Sequence, residues 1–181
     1  MPVSETIIAQ TKKWIADVVV GCNFCPFAGR EVKRGSIFYE VNNSDNQQEV
    51  LEQFFSLMQQ LDEDATIETS LLILPSGFND FDNYLSLVEN AEKIIEQENY
   101  EGIYQVASFH PGYLFAGSNE QDPANYTNRS PYPMLHLLRE ASVTRAVESY
   151  PHINSVPENN IAYTKEKGLM YMQELLAACM I

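Results

Sequence analysis

Residues 67–74, Ile-Glu-Thr-Ser-Leu-Leu-Ile-Leu, decide the fold that this sequence predicts. Side chains of a β-strand point alternately to the two faces of a sheet. The segment ends in four consecutive apolar residues, so it predicts a strand that is covered on both faces. Pro75-Ser76-Gly77 follows it, which is typical of a turn.

Helices and strands alternate along the chain on both sides of this strand. Before it, apolar spacing predicts a helix over residues 7–19, a strand over residues 36–41, and a helix that Ser44 and Gln47 open as a capping box. After it, residues 81–95 have helical spacing and residues 103–108 read as a strand. This order predicts an α/β fold, a small sheet of about three or four strands layered with about five helices. A ferredoxin-like α+β sandwich is the alternative.

Two further helices are predicted near the carboxyl end. One covers residues 133–150 and buries Leu135, Leu138 and Ala141, and the last covers residues 157–180 with Gly168 inside it. A chain of 181 residues is expected to form a single globular domain over residues 1–181.

The composition is that of a globular protein, with 45 % hydrophobic and 20 % charged residues. A net charge of −14 repels phosphate backbones and anionic headgroups, so nucleic acid and membranes are not expected as partners. No signal peptide or membrane span is predicted. With few cysteines, the chain is expected to be soluble, cytoplasmic and reduced. The sequence leaves the cofactor and the oligomeric state undetermined.

Residues 109–133 have no regular periodicity and are rich in Pro, Gly, Asn and aromatic residues. Loops this long in compact domains are usually functional or disordered. The Phe and Tyr side chains argue against disorder, because they would otherwise stay in water. The 109–133 loop and the helix predicted after it are therefore the candidate functional region.

His136, Arg139 and Glu140 share one face of that predicted helix. The amino-terminal end of a helix attracts anions, and Arg129 and Ser130 lie just before it. We predict an anionic ligand that Arg129, Ser130 and Arg139 hold, with His136 and Glu140 as catalytic candidates. The alternative is a solvated face on which Glu140 pairs with His136 or Arg139.

His110 is the third catalytic candidate, at the end of the third predicted strand and before Pro111-Gly112. Ligands of open α/β sheets bind beyond the carboxyl ends of strands, and histidine exchanges protons near neutral pH. We expect His110 within about 10 Å of His136 and Arg139, which is one ligand's width. The alternative is a structural imidazole bonded to the backbone of its own turn.

Cys22 and Cys25 have the C-x-x-C spacing of redox dithiols and half zinc sites. A zinc site needs four ligands, so no metal is predicted unless His110 and His136 join both thiols. Two packed thiols, with no chemical role, are the simplest alternative.

Three strings carry a family resemblance, and they are residues 22–28 (CNFCPFA), 107–111 (ASFHP) and 128–140 (NRSPYPMLHLLRE). The chain resembles a bacterial family of unknown function, the domain family 1415, over most of its length. The resemblance implies no activity. Three hypotheses stay open, and the first is a small-molecule enzyme or binding protein for an anion. The others are a metal or thiol site and a non-catalytic interaction module that uses the aromatic loop.

Overall fold

The computed structural model describes residues 3–150 and 153–180. Their four strands form one sheet in the order β1-β2-β4-β3. The strands are β1 (Ile37–Val41), β2 (Thr69–Ile73), β3 (Tyr104–Phe109) and β4 (Met134–Arg139). β1 is parallel to β2, and β4 is antiparallel to both β2 and β3. Strands β1, β2 and β3 therefore run in one direction, and β4 is inserted between β2 and β3 in the opposite one.

Seven α-helices accompany the sheet in the described residues. They are α1 (Ser4–Trp14), α2 (Ala28–Arg34), α3 (Gln47–Glu63), α4 (Phe81–Gln97), α5 (Glu140–Ser149), α6 (Val156–Lys167) and α7 (Leu169–Ala177). A π-helical turn, Ile15–Val20, extends α1, and 3-10 turns occupy Pro123–Thr127 and Ile153–Ser155. The predicted α/β fold is confirmed. The order β-α-β-α-β-β-α also differs from the β-α-β-β-α-β order of a ferredoxin-like sandwich.

The sheet carries a separate hydrophobic core on each face. Leu72 and Leu137 point toward the core that α3 and α4 cover. Leu71 and Ile73 point toward the core on the side of α1, the π-helical turn and α7. All five residues of β2 are buried, as the apolar run at residues 67–74 predicted, because this strand has helices on both faces.

The prediction of a helix over residues 133–150 is wrong in its first half. Residues Met134–Arg139 form β4, and the helix begins only at Glu140. β4 hydrogen-bonds to β2 on one side and to β3 on the other. Leucine favours helices, but this ladder and the burial of both faces outweigh the preference of a short segment.

Two boundaries inside the predicted helices also differ from expectation. Asn46, not Ser44, caps α3, since its side chain accepts hydrogen bonds from the backbone N–H groups of Gln48 and Glu49. Gly168 divides the last predicted helix into α6 and α7 and has a φ of 82°, which only glycine adopts readily. No helix within residues 3–150 and 153–180 is long and apolar enough to cross a membrane.

Candidate functional site

Arg139 lies at the end of β4 and closes the carboxyl end of α3. Its guanidinium donates hydrogen bonds to the backbone carbonyls of Leu61, Asp64 and Ile67. It also lies 5.9 Å from the centre of the Tyr104 ring. The Leu61 carbonyl is an acceptor that the end of α3 leaves unpaired, and Ile67 lies in the segment between α3 and β2. The arginine therefore ties this segment to the helix end and stabilises the fold.

Glu140 does not share a helix face with His136 and Arg139, because the boundary between β4 and α5 falls between residues 139 and 140. The backbone N–H of Glu140 donates to the carbonyl of Ile103 over 2.8 Å. Its carboxylate lies in the first turn of α5, where the helix dipole favours negative charge. This position suits a residue that stabilises the helix.

His110 has both ring nitrogens hydrogen-bonded to the backbone. Nε2 lies 2.9 Å from the carbonyl of Phe78, and Nδ1 accepts the N–H of Gly112 over 2.9 Å. A carbonyl can only accept, so Nε2 carries the proton and the ring is neutral. Burial lowers the pKa of His110, against the opposing effect of the Phe78 contact. The ring joins two loops through these hydrogen bonds. The contact with Gly112 is the one that the alternative predicted, an imidazole bonded to the backbone of its own turn.

His110 and His136 face opposite sides of the sheet. The His110 ring lies 4.9 Å from Tyr84 and 5.1 Å from Phe81, centre to centre, on the side of α4. The His136 ring lies beside Phe109, on the side of α1. The structure therefore does not bring the predicted catalytic residues together. Phe109, the last residue of β3, faces the same side as His136, and the next residue, His110, points to the opposite side.

Arg129 and Ser130 hold the 109–133 loop in place. Arg129 donates to the carbonyls of Tyr113 and Glu120, each over 3.1 Å, and its guanidinium covers the Tyr126 ring at 4.7 Å. Ser130 is fully buried and donates to the carbonyl of Tyr132. The predicted anion-binding groups are thus occupied by backbone acceptors of the loop itself.

Asn125, which the sequence did not single out, organises the same loop. Its buried side chain accepts hydrogen bonds from the Phe115 N–H and the Ser118 hydroxyl and donates to the Asn119 carbonyl. Among the described aromatic residues of the loop, Phe115 alone is largely exposed, at 37 %. The loop is ordered, and it does not form the broad aromatic surface that an interaction module would use.

The three cysteines are free thiols, with Cys22 and Cys179 buried and Cys25 half-buried. Burial raises the pKa of Cys22, partly offset by a hydrogen bond with Tyr163. Within residues 3–150 and 153–180, no group of three or more His, Cys, Asp or Glu side chains could hold a metal ion. The mixed site of Cys22, Cys25, His110 and His136 is not assembled there.

A cavity of about 330 Å³ lies between the sheet and the helices on the α1 side. We call it the sheet cavity. Its apolar wall includes Trp14, Ile15, Val19, Phe27, Leu71, Ala107, Phe109, Leu138 and Val143. Ala107 stands in the middle of β3, where its small side chain leaves space. Ligand pockets of proteins have this size and this largely apolar lining.

His136 is the polar group of the sheet cavity whose geometry is best defined. Its Nε2 lies 2.6 Å from Oγ1 of Thr69, and that hydroxyl lies 2.6 Å from the carbonyl of Leu137. The carbonyl can only accept, so the Thr69 hydroxyl donates its hydrogen to the carbonyl. The hydroxyl oxygen therefore accepts a hydrogen bond from Nε2–H of His136, and the ring proton is on Nε2. Nδ1 then carries a lone pair. No hydrogen bond to Nδ1 is found within the described residues.

Burial lowers the pKa of His136 to about 4. The imidazole is consequently neutral at physiological pH, because the apolar wall disfavours the charged form. A neutral ring with its proton on Nε2 presents Nδ1 to the sheet cavity as a hydrogen-bond acceptor. The chemistry that this arrangement offers is the binding of a donor group on an apolar molecule.

Two carboxylates line the same cavity and differ in their partners. Glu31 accepts hydrogen bonds from the Ser36 hydroxyl and from Arg30, each over 2.6 Å. Burial would raise the pKa of Glu31, but these contacts outweigh it and hold the pKa below its ordinary value. Glu68, by contrast, has one buried oxygen, Oε1, without a hydrogen-bond partner.

A second cavity, of about 510 Å³, borders the 109–133 loop and α6. Val19, Cys25 and Phe109 line both cavities, so they form the wall between them. Ser118, Asp122 and Asn128 give this loop cavity a more polar lining. The loop that the sequence selected therefore borders the candidate site, although its arginine does not enter it.

Trp14, Glu68 and Ala107 are site residues that sequence reasoning missed. Trp14 and Ala107 were assigned to a helix and a strand without a reason to expect a void beside them. The useful pattern was Gln105, Ala107 and Phe109, alternate residues of one strand that all face the cavity. This alternation shows only that the three residues share one face of β3. That this face is the α1 side follows from the pairing of β3 with β4.

The match to a family profile covers nearly the whole chain. The family described as "Protein of unknown function (DUF1415)" matches residues 6–174 of 181, a range that contains every residue named here as lining the sheet cavity. No curated protein and no solved structure shows a significant match. The chain therefore belongs to the DUF1415 family of proteins of unknown function.

Proposed function

We propose that this protein binds a small, largely apolar molecule in the sheet cavity, where Nδ1 of His136 accepts a hydrogen bond from it. One observation carries the proposal: an apolar cavity of about 330 Å³ contains an acceptor that no described residue satisfies. Protein interiors are close-packed, and voids much larger than a water molecule are few. A void of this size, lined mainly by apolar side chains with a few polar groups, is typical of a binding site.

The pKa of His136 favours binding over proton transfer. A general base works best when its pKa lies near the working pH, whereas burial holds this pKa at about 4. Such an imidazole is a weak base but a good acceptor. The proposed role is accordingly recognition, and His136 orients the ligand.

The proposal keeps the small-molecule hypothesis and changes its site and its ligand. Arg129 and Arg139 donate to backbone carbonyls, and the histidine of the cavity is neutral. Nothing in this arrangement offers an anion a free positive charge. An apolar body in the cavity uses the feature that the structure does provide, which is apolar surface removed from water.

Trp14 provides a direct test, because it is the single tryptophan of the chain and lies in the cavity wall. Titration with straight-chain alcohols, from hexanol to decanol, should change Trp14 emission and raise the melting temperature. Ala107→Phe should occupy part of the cavity and weaken both effects, while Ala177→Phe, the same change at an exposed position of α7, should preserve them. An unchanged emission throughout the series, or full binding by Ala107→Phe, would contradict the proposal.

A further inference from the structure

We infer that the natural ligand of the sheet cavity is a cation, an apolar molecule with a protonated amine that contacts Glu68 and Nδ1 of His136. The inference rests on the proposed function and adds the chemical class of the ligand's polar group. The charged side chains of the cavity wall are Arg30, Glu31, Glu68 and Arg139.

Three of these four charged side chains already have partners among the described residues. Arg30 and Glu31 form an ion pair over 2.6 Å. The guanidinium of Arg139 is directed to the carbonyls of Asp64 and Ile67. Hydrogen bonds from Tyr100 and Thr66 lower the pKa values of the neighbouring Asp62 and Asp64 carboxyl groups, and the positive charge of Arg139 adds to this effect. Its positive charge is therefore balanced outside the cavity.

Glu68 is the carboxylate that stays without compensation. Within the described residues it forms no ion pair, and its Oε1 is buried without a hydrogen bond. A buried carboxylate oxygen without a donor loses the hydration it had in the unfolded chain and gains nothing in return. A cationic donor bound beside it would supply both the missing hydrogen bond and the missing charge.

His136 adds a second acceptor that also lacks a hydrogen-bond donor. Its Nδ1 lone pair cannot donate, since the ring proton is engaged with Thr69. An ammonium group has three N–H donors, whereas an alcohol has one and a carboxylate has none. A carboxylate ligand would also meet the like charge of Glu68. Gln105 and Ser142, which also line the cavity, are uncharged and can both donate and accept, so they favour neither an anion nor a cation.

The test compares three ligands that share one alkyl chain, namely octylamine, 1-octanol and octanoate, at pH 7.5 and below micellar concentrations. Calorimetry should show octylamine binding about tenfold or more tightly than 1-octanol, and octanoate binding most weakly. In Glu68→Gln the preference for the amine should disappear while the affinity for 1-octanol stays. Glu96→Gln, which removes a charge from the exposed surface of α4, should keep the parent's preference.

The possible outcomes distinguish a wrong ligand class from a wrong proposed function. Equal or tighter binding of 1-octanol or octanoate by the parent overturns the cationic ligand and leaves an apolar-binding protein. An amine preference that survives in Glu68→Gln also overturns it. If none of the three compounds binds, the cavity is not a binding site, and both proposals are wrong.

Discussion

The Nε2 atom of His136 and the hydroxyl of Thr69 lie 2.6 Å apart across the paired strands β4 and β2. Because the hydroxyl donates to the carbonyl of Leu137, this contact places the single ring proton on Nε2 and leaves Nδ1 facing the sheet cavity. Protonation of the ring would place a charge against an apolar wall. The contact thus links the strand pairing, the ionisation of the ring and the chemistry of the site.

Stability should depend on the ionisation of His136 in mildly acidic solution. Its pKa is about 4 in the folded protein and about 6.5 in an unfolded chain, so the unfolded state binds the proton first as the pH falls. The free energy of unfolding should be undiminished above pH 6.5 and decrease toward pH 4, by on the order of 3 kcal/mol. Urea titrations between pH 4.5 and 7.5 measure this decrease.

His136→Phe supplies the control for that pH dependence. The variant keeps an aromatic ring in the cavity wall and removes the titrating group, so its stability should vary less over the same range. A smaller slope should remain, because burial also lowers the pKa of His110. An identical decrease in parent and variant would show that His136 does not titrate in this way.

His110→Ala should destabilise the protein without weakening ligand binding. The substitution leaves the buried Phe78 carbonyl without its donor and removes the acceptor of the Gly112 N–H, which lies in an exposed turn. We expect a loss of about 2–4 kcal/mol in the free energy of unfolding. Affinity for 1-octanol should be unchanged where the variant is folded, since the ring lies on the α4 side. Lost affinity with normal stability would assign His110 a direct role in the site.

Arg129→Ala should loosen the 109–133 loop, because Arg129 holds the carbonyls of Tyr113 and Glu120. The expected cost is about 1–3 kcal/mol, and hydrogen exchange of the loop should accelerate. Phosphate and small carboxylates should not raise the melting temperature of the parent. If these anions stabilise the parent and this effect is absent in Arg129→Ala, the arginine is an anion-binding residue and its structural role is secondary.

Thiol labelling should distinguish Cys25 from the other two cysteines. Cys25 is half-buried and lines the sheet cavity, whereas Cys22 and Cys179 are buried. Burial also raises the pKa of Cys22 and of Cys179, which reduces their thiolate fraction. Mass spectrometry with iodoacetamide should therefore find one rapidly modified site, absent in Cys25→Ser and slowed by 1-octanol. Equal rates at several cysteines would contradict this assignment.

The regular elements around β2 follow from local patterns in the sequence. Local apolar spacing is enough to predict β2 from the run Leu71 to Leu74 and to predict α3 and α4 from their apolar stripes. No knowledge of distant segments is needed for these elements. The segment Met134–Arg139 cannot be predicted in this way, since its leucines fit both the helical and the strand period. Its partners on β2 lie more than 60 residues away, and pairing at that distance leaves no trace in local spacing.

The aromatic residues of the 109–133 loop correctly predicted that it would be ordered, because a disordered chain would leave them in water. The hydrogen-bond partners of the polar side chains in this loop could not be predicted from the sequence. Arg129 found backbone carbonyls instead of an anion, and the buried side chain of Asn125 became the centre of the loop. Backbone acceptors are present at every residue, so only the folded path of the chain decides which of them a long side chain can reach.

The sequence by itself determined a chain of alternating helices and strands with a doubly covered central strand and an ordered polar loop. The tertiary structure alone decided the site, since Trp14, Glu68, Ala107 and His136 reach the sheet cavity from four different elements or their ends. A cavity is the space that side chains leave when distant segments pack, and no residue carries that space in its own pattern. The insertion of β4 between β2 and β3 placed His136 on the side of Trp14. His110 faces the other side because it directly follows Phe109, which lies beside His136, and successive side chains point opposite ways.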